Sequence, residues 1–217
     1  MAGRTRKPPT RIFVTRHGQT VTNVEGRFCG HAETTLTDLG REQARALGER
    51  LASITFAAVY TSDYSRAIET AAIILGGRGP ATTPDPAFRE LHYGEWELQK
   101  GGAVARRWPE QYRLMRSRDP LWRPPGGEDV AEVRTRTYAA LQRIIRRNRN
   151  QDVLIVTHGT AINCMLGEVL GSPIPATFNF EVNNCALSEL AVHGSKPIVV
   201  RLNDTAHLER LNLPRTE

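Results

Sequence analysis

The sequence predicts an α/β domain built around a largely parallel sheet, and three observations carry that prediction. Short β-rich runs alternate with stretches of helical period along most of the chain. The run DVLIVTHG, Asp152 to Gly159, is apolar almost throughout, as strands covered on both faces are. Two strand candidates end nearly alike, FVTRHG and LIVTHG, which puts His17 and His158 at the same rim of one sheet. In sheets of this kind, ligands bind beyond the carboxyl ends of the strands.

Each element follows in order. The basic, Pro-rich start MAGRTRKPPT reads as a flexible tail over residues 1–10, ahead of a single domain over 11–217. Ile12 to Thr15 is a buried strand running directly into Arg16-His17-Gly18. Thr37 caps a helix reaching about Ser53, with Leu39, Leu47 and Leu51 on one face. Phe56 to Ser62 is strand and loop, and Tyr64 to Leu75 is a helix stopped by Gly76-Gly77. Residues 77–87 form a Gly/Pro-rich crossing, and FRELHYGEW opens a strand or turn bearing polar residues. One helix is expected from Gly101 to Met115, then a loop from Asp119 to Glu128. The clearest periodicity lies between about Glu128 and Arg147, where Val130, Val133, Thr137, Leu141 and Ile144 recur at three- and four-residue steps. A helix from Thr160 to Leu170 follows the second histidine. ALSELAV and PIVVRLN then read as two strands joined through His193-Gly194-Ser195.

Composition narrows the function. A chain of 217 residues, 40% hydrophobic and 24% charged, has the makeup of a soluble enzyme with a sizeable core. No apolar run approaches the roughly 20 residues that span a bilayer. No signal-type apolar segment follows the basic start, so a cytoplasmic protein with no membrane partner is expected. Cys29, Cys164 and Cys185 are odd in number and lack CxxC spacing, which favours reduced thiols over disulfides. Without an HxxxH, HExxH or clustered Asp pattern, no metal is expected. The net charge of +6 favours an anionic partner. Its densest cluster, Arg143, Arg146, Arg147 and Arg149, sits at a helix end, where cations complement the dipole. No aromatic residues interleave with it for base stacking, so nucleic acid is not expected.

The chemistry gathers around Thr15 to Asn23, TRHGQTVTN. An arginine, a histidine and a close-approach glycine leave a strand end together, with Thr20 and Asn23 adding hydrogen-bonding groups. Arg66 begins the helix after another strand, although a cation there opposes the helix dipole and so asks for a functional reason. Two guanidiniums and two imidazoles at one rim make a socket for a dianion, since the arginine fork matches phosphate oxygens. A carboxylate can reach the same rim from a third connection. The residues themselves leave Glu90, Glu95 and Glu97 open; His31, His193 and His207 read as surface or loop residues.

Six stretches, in order, resemble the histidine phosphatase superfamily, also called the phosphoglycerate mutase-like family. They are TRHGQTVTN, GRFCGHAETTLTDLGREQA, VYTSDYSRAIETA, FRELHYGEWE, PPGGE and VTHGTAIN, spread from Arg11 to about Leu190. The resemblance implies a three-layer α/β/α domain with a helical lid or specificity insertion at about 99–127. It implies a metal-independent, cofactor-free phosphatase acting on a small-molecule phosphate ester. His17 would be the nucleophile; Arg16, Arg66 and His158 would hold the phosphate with Asn23 assisting; Glu90 would donate and recover the proton. Thr20, Cys29, Gly30, Tyr93 and Gly159 complete the implied substrate-binding set. Such chemistry needs mainly positioning and fixed charge. His17 must stay unprotonated beside its cationic neighbours, while Glu90 must keep a proton for the leaving oxygen.

The segment ELHYGEWELQKGGAVARRWPEQY is closer to the family's phosphatases than to its mutases. It departs from them at Leu98-Gln99-Lys100, and Cys29 stands where Thr, Ser or Gln is more familiar. A mutase is therefore the second reading and a non-catalytic phosphate-binding module the third. Arg106, Arg107, Arg113, Arg116, Arg118 and Arg123 point to a second anionic group on the substrate. A homo-oligomer is compatible with the sequence.

Overall fold

A computed structural model describes residues 8–194 and 196–211. The predicted tail lies outside the described residues as far as residue 7. Its boundary is corrected, because strand β1 already starts at Thr10 and runs to Arg16. The Thr10 hydroxyl explains the early start: it bonds the Asn148 carbonyl and receives the Asn150 amide, tying the strand's first residue to the neighbouring turn.

The sheet has six strands: β1, β2 (Ala58–Thr61), β3 (Thr82–Pro84), β4 (Asp152–Thr157), β5 (Leu187–His193) and β6 (Lys196–Asp204). Their order is β3-β2-β4-β1-β5-β6. The first four in that order pair in parallel, and β5 and β6 add antiparallel at the edge. Thr82 to Pro84 lies within the expected Gly/Pro-rich crossing, yet it forms a strand. Three residues show too little pattern to announce a strand, and its pairing with β2 makes it one.

Alternation along the central strands builds the layers. Ile12, Val14, Val153 and Ile155 face one side, under α6 (Val130–Arg147) and α7 (Gly159–Val169). Phe13, Leu154 and Val156 face the other, under α2 (Asp38–Arg50) and α3 (Ser65–Leu75). Each fully buried branched side chain in these clusters contributes roughly 1.5–3 kcal/mol. Thr37 caps α2 by accepting the Gly40 amide, and Asp129 caps α6 in a reciprocal box with Glu132. The remaining short helix α1 (Val21–Val24) has too little period to be read from sequence. Its start is set by a reciprocal box between Thr20 and Asn23.

The helix expected over 101–115 is two helices, α4 (Gly101–Arg107) and α5 (Pro109–Arg116). Pro109 has no N–H to continue α4, and it pushes Trp108 to φ −134°, ψ 65°. Val104 anchors α4 in a third cluster with Leu91, Trp96, Trp122, Val130 and Val133, whereas α5 buries no residue fully. FRELHYGEW is not a strand. It is an irregular run ending in a 3₁₀ turn at Gly94–Trp96, held down by the buried Phe88, Leu91 and Trp96. No described helix is long and apolar enough to cross a membrane.

Candidate functional site

The register of β1 on β4 sets Arg16 beside Thr157, so the next residues, His17 and His158, leave the sheet side by side. Their rings stand edge to face, with centroids 5.1 Å apart. The loop after β1 lies directly on the start of α2. A Cβ on Gly40 would meet the Gln19 carbonyl oxygen at 2.1 Å, and one on Gly18 would meet the Gly40 carbonyl at 2.3 Å. Only two glycines let the backbones approach so closely.

His17 is 4% exposed. Its Nδ1 lies 2.7 Å from the Gly18 carbonyl oxygen, which can only accept, so the ring proton is assigned to Nδ1 and the lone pair to Nε2. Nδ1 of His158 receives the Nε–H of Arg66 at 3.3 Å, so His158 carries its proton on Nε2. That Nε2 and the Nε of Arg16 are buried and unpartnered among the described residues, both ready to donate. Arg16 is steadied from behind by the Val182 carbonyl, 2.8 Å away.

Arg66 resolves the dipole conflict noted in the sequence. Its guanidinium, 1% exposed, leaves the helix end and donates to the carbonyls of Gly30 at 2.7 Å and Ala32 at 2.9 Å. Burial, with Arg16 and Arg66 adding to it, holds His17 well below the usual histidine pKa. Burial and then Arg66, His17 and Arg16 do the same to His158. Both rings are thus neutral in the folded protein at neutral pH.

Glu90 reaches the same place from the irregular run. Its Oε1 accepts the Leu91 amide at 2.9 Å and its Oε2 the Thr160 amide, at the start of α7, at 3.2 Å. Arg136 on α6 fixes the run by donating to the carbonyls of Ala87, Arg89 and Glu90, and it is itself held by Glu128 at 2.8 Å. The other two acids left open by sequence go elsewhere: Glu95 is exposed near Arg107, and Glu97 bonds to backbone amides.

These groups line a cleft of about 130 Å³, together with Asn23, Arg27, Phe28, Cys29, Gly30 and Tyr93. Asn23 spends its Oδ1 on the Thr20 amide and on Asn184, which leaves its Nδ2 as the donor available to the cleft. Burial raises the Cys29 thiol, whose Sγ donates to the Ala32 carbonyl. Burial also keeps the Tyr93 phenol neutral, and its hydroxyl lies 3.4 Å from that of Thr160. Gly159 does not line the cleft; it lies against Arg16, where a Cβ would come 3.6 Å from Nε.

Thr20 likewise lies outside the lining of the cleft. It is fully buried, and its hydroxyl is occupied by the Asn23 amide and Thr22, so it caps α1 rather than facing the cleft. Asn184 was missed. Its Nδ2 donates to the His17 carbonyl at 2.9 Å and to Asn23. The signal was present in Asn183-Asn184 just ahead of β5, because an antiparallel neighbour of β1 begins where β1 ends. His31 and His207, read as surface or loop residues, are half-buried and bonded to the Glu90 and Cys185 carbonyls; His193 is exposed.

The buried neutral histidines have a consequence for stability. Unfolded, they take up protons as the pH drops below about 6.5; folded, they do so only at much lower pH. Their contribution is therefore complete above 6.5 and is lost as the pH falls toward the depressed folded values. Thermal unfolding in phosphate-free buffer should show Tm falling from pH 7 to pH 5. A flat profile over that interval would contradict neutral burial of the two rings.

Converging guanidiniums and imidazoles with unspent N–H donors, at the carboxyl rim of a mostly parallel sheet, define an anion-binding α/β domain. The chain belongs to the histidine phosphatase superfamily, branch 1, whose family model matches residues 12–205. Among curated relatives it is similar to a probable phosphoglycerate mutase, GpmB, of Yersinia enterocolitica. The two are 31% identical over 91% of this chain and 94% of the relative. Among solved structures it resembles Bacillus stearothermophilus YhfR, at 32% identity and a TM-score of 0.89, covering 92% of this chain and 99% of that one. It also resembles a putative alpha-ribazole-5'-P phosphatase from Escherichia coli, at 27% identity and a TM-score of 0.85, covering 91% and 98%. Both phosphatases and mutases thus stand among its relatives.

Proposed function

We propose that the protein is a metal-independent phosphatase that hydrolyses a small-molecule phosphate monoester through a phosphohistidine on His17. The observation that carries this reading is the pairing of an unprotonated Nε2 on a buried His17 with unspent donors on Arg16 and His158. In the first step Nε2 attacks phosphorus and the ester oxygen leaves, taking a proton from Glu90. In the second, Glu90 takes a proton from water, which displaces the phosphoryl group from His17 as inorganic phosphate. Arg16, Arg66, His158 and Asn23 would hold the equatorial oxygens, supplying fixed charge where other phosphoryl-transfer sites use metal ions.

The segment 99–127 would decide which alcohol is accepted, with α5 its most loosely seated part. The second anionic group inferred from six arginines now has fewer places to go. Arg106 lines a separate pocket with Arg27 and Lys100, and Arg107, Arg113 and Arg123 face Glu95, Glu110 and the Asp129–Glu132 pair. Arg116 and Arg118 instead line an apolar cavity of about 340 Å³ that shares Tyr93 with the cleft, and they are the better partners for such a group. Likeness to a probable phosphoglycerate mutase favours a second reading, phosphoryl transfer between positions of a phosphoglycerate.

The test is turnover of 4-nitrophenyl phosphate in EDTA, run beside a phosphoglycerate isomerisation assay. Release of inorganic phosphate that survives EDTA supports the phosphatase. Loss of turnover in EDTA would overturn metal independence, and isomerisation without phosphate release would establish the mutase.

A further inference from the structure

Glu97 stands a few residues from Glu90 but does not line the cleft. Its Oε1 accepts the backbone N–H of His31 at 2.7 Å and that of Tyr93 at 3.2 Å, and it lies 3.6 Å from Nε2 of His92. One oxygen therefore joins two loops. The first, Cys29 to Ala32, provides the Gly30 and Ala32 carbonyls that hold both terminal nitrogens of Arg66. The second, Glu90 to Tyr93, carries the acid. The His31 ring crosses the same seam, its Nε2 meeting the Glu90 carbonyl at 3.0 Å. The fit is close: Gly30 has φ +53°, and a Cβ on it would lie 2.3 Å from Glu97 Oε1. A side chain at position 30 would be strained and would also displace the carboxylate.

We propose that Glu97 is a positioning residue that sets the distance between the arginine grip on the phosphate and the proton donor. It does so by locking the loop that aims Arg66 to the loop that carries Glu90. For Glu90's part the inference rests on the phosphatase reading above. Glu97 touches neither the phosphate nor the leaving group in this scheme, so its influence passes through the two loops. Such influence is steep, because a misplacement of about 1 Å can cost on the order of a hundredfold in rate. What matters is the acceptor geometry of Oε1, a property that glutamine shares and the shorter aspartate lacks.

The experiment compares wild type with Glu97→Ala, Glu97→Gln, Glu97→Asp and Gly30→Ala. Substrates are 4-nitrophenyl phosphate, whose leaving group needs little protonation, and β-glycerophosphate, whose alkoxide needs it fully. Binding of inorganic phosphate is measured by calorimetry, and Tm for each variant. In Glu97→Ala the ratio of kcat/KM for the alkyl ester to that for the aryl ester should fall by about tenfold or more, and phosphate should bind more weakly. Glu97→Asp should resemble it, Glu97→Gln should keep the ratio within about threefold of wild type, and Gly30→Ala should reproduce the defect with Glu97 intact. A lowered Tm with an unchanged ratio and unchanged phosphate affinity would reduce Glu97 to a structural residue. Rescue by aspartate but not glutamine would make its charge, not its geometry, the working property. If wild type cleaves neither ester, the phosphatase reading fails separately. Phosphate affinity then decides for Glu97: weakened in Glu97→Ala it supports the Arg66 half of the seam, and unchanged it overturns the proposal.

Discussion

Replacing His17 with alanine is expected to lower turnover of an aryl phosphate by on the order of 10⁴- to 10⁶-fold, the scale on which loss of a covalent nucleophile acts. No second nucleophile in the cleft is ready to replace it. Cys29 lines the same space, but burial raises its thiol pKa and keeps it protonated, and its Sγ is spent on the Ala32 carbonyl. The grip on phosphate should survive, because Arg16 and Arg66 are held by backbone carbonyls and His158 by Arg66, none of them through the His17 ring. The variant should therefore still bind inorganic phosphate while failing to turn over. Brief mixing of wild type with a labelled phosphate ester, followed by denaturation in base, should trap an acid-labile phosphoenzyme that is absent from the variant. Because His17 is held well below the ordinary histidine range, the wild-type acid limb belonging to this group should fall below pH 6.5. Retention of a tenth of the activity without His17 would remove the phosphohistidine from the mechanism.

The second large effect is expected at Glu90. Replacement by glutamine keeps the shape of the side chain and one oxygen for the backbone amides, but it removes the transferable proton. General acid–base groups contribute typically about 10²- to 10⁴-fold. In kcat/KM, which reports phosphoryl transfer to His17, that loss should appear in full with an alkyl phosphate and be much smaller with 4-nitrophenyl phosphate, whose leaving group departs unaided. Hydrolysis of the phosphoenzyme loses its base in the same variant, so with the aryl substrate a burst of nitrophenolate followed by slow turnover is expected. Equal losses on both substrates, with no burst, would mean that Glu90 orients the site without handling a proton.

Much of this candidate site is legible in the sequence, and the reason is physical. The pair of endings RHG and THG after buried strands can be read because a parallel sheet delivers both to one rim. Arg66 was legible through a conflict, a cation at a helix start, and the conflict disappears once its guanidinium is seen bridging two carbonyls and His158. Glu90 was not legible from the residues themselves. It lies in an irregular run with no period, so the family resemblance alone singled it out from Glu95 and Glu97, and the fold then sets it at the cleft while Glu95 and Glu97 go elsewhere. Thr20 misled because a threonine near a catalytic loop looks the same whether it meets ligand or caps a helix. The break at Pro109 was visible in principle, but two short helices and one long one share a similar apolar pattern. β3 and α1 lacked the length for any pattern.

The juxtaposition of β1 and β4 also bears on how this protein can come apart. The residues at the cleft come from the loop after β1, the start of α3, the run after β3 and the end of β4, so no continuous piece of the chain contains a working site. Side chains alternate along a strand, and a one-residue slip of β4 against β1 would turn one face of its apolar residues to the wrong layer as it moved His158 out of line with His17. Stability and competence are thus written into the same register. A nicked or half-assembled chain would hold only a fragment of this cleft, so its donors come together only when the whole sheet does.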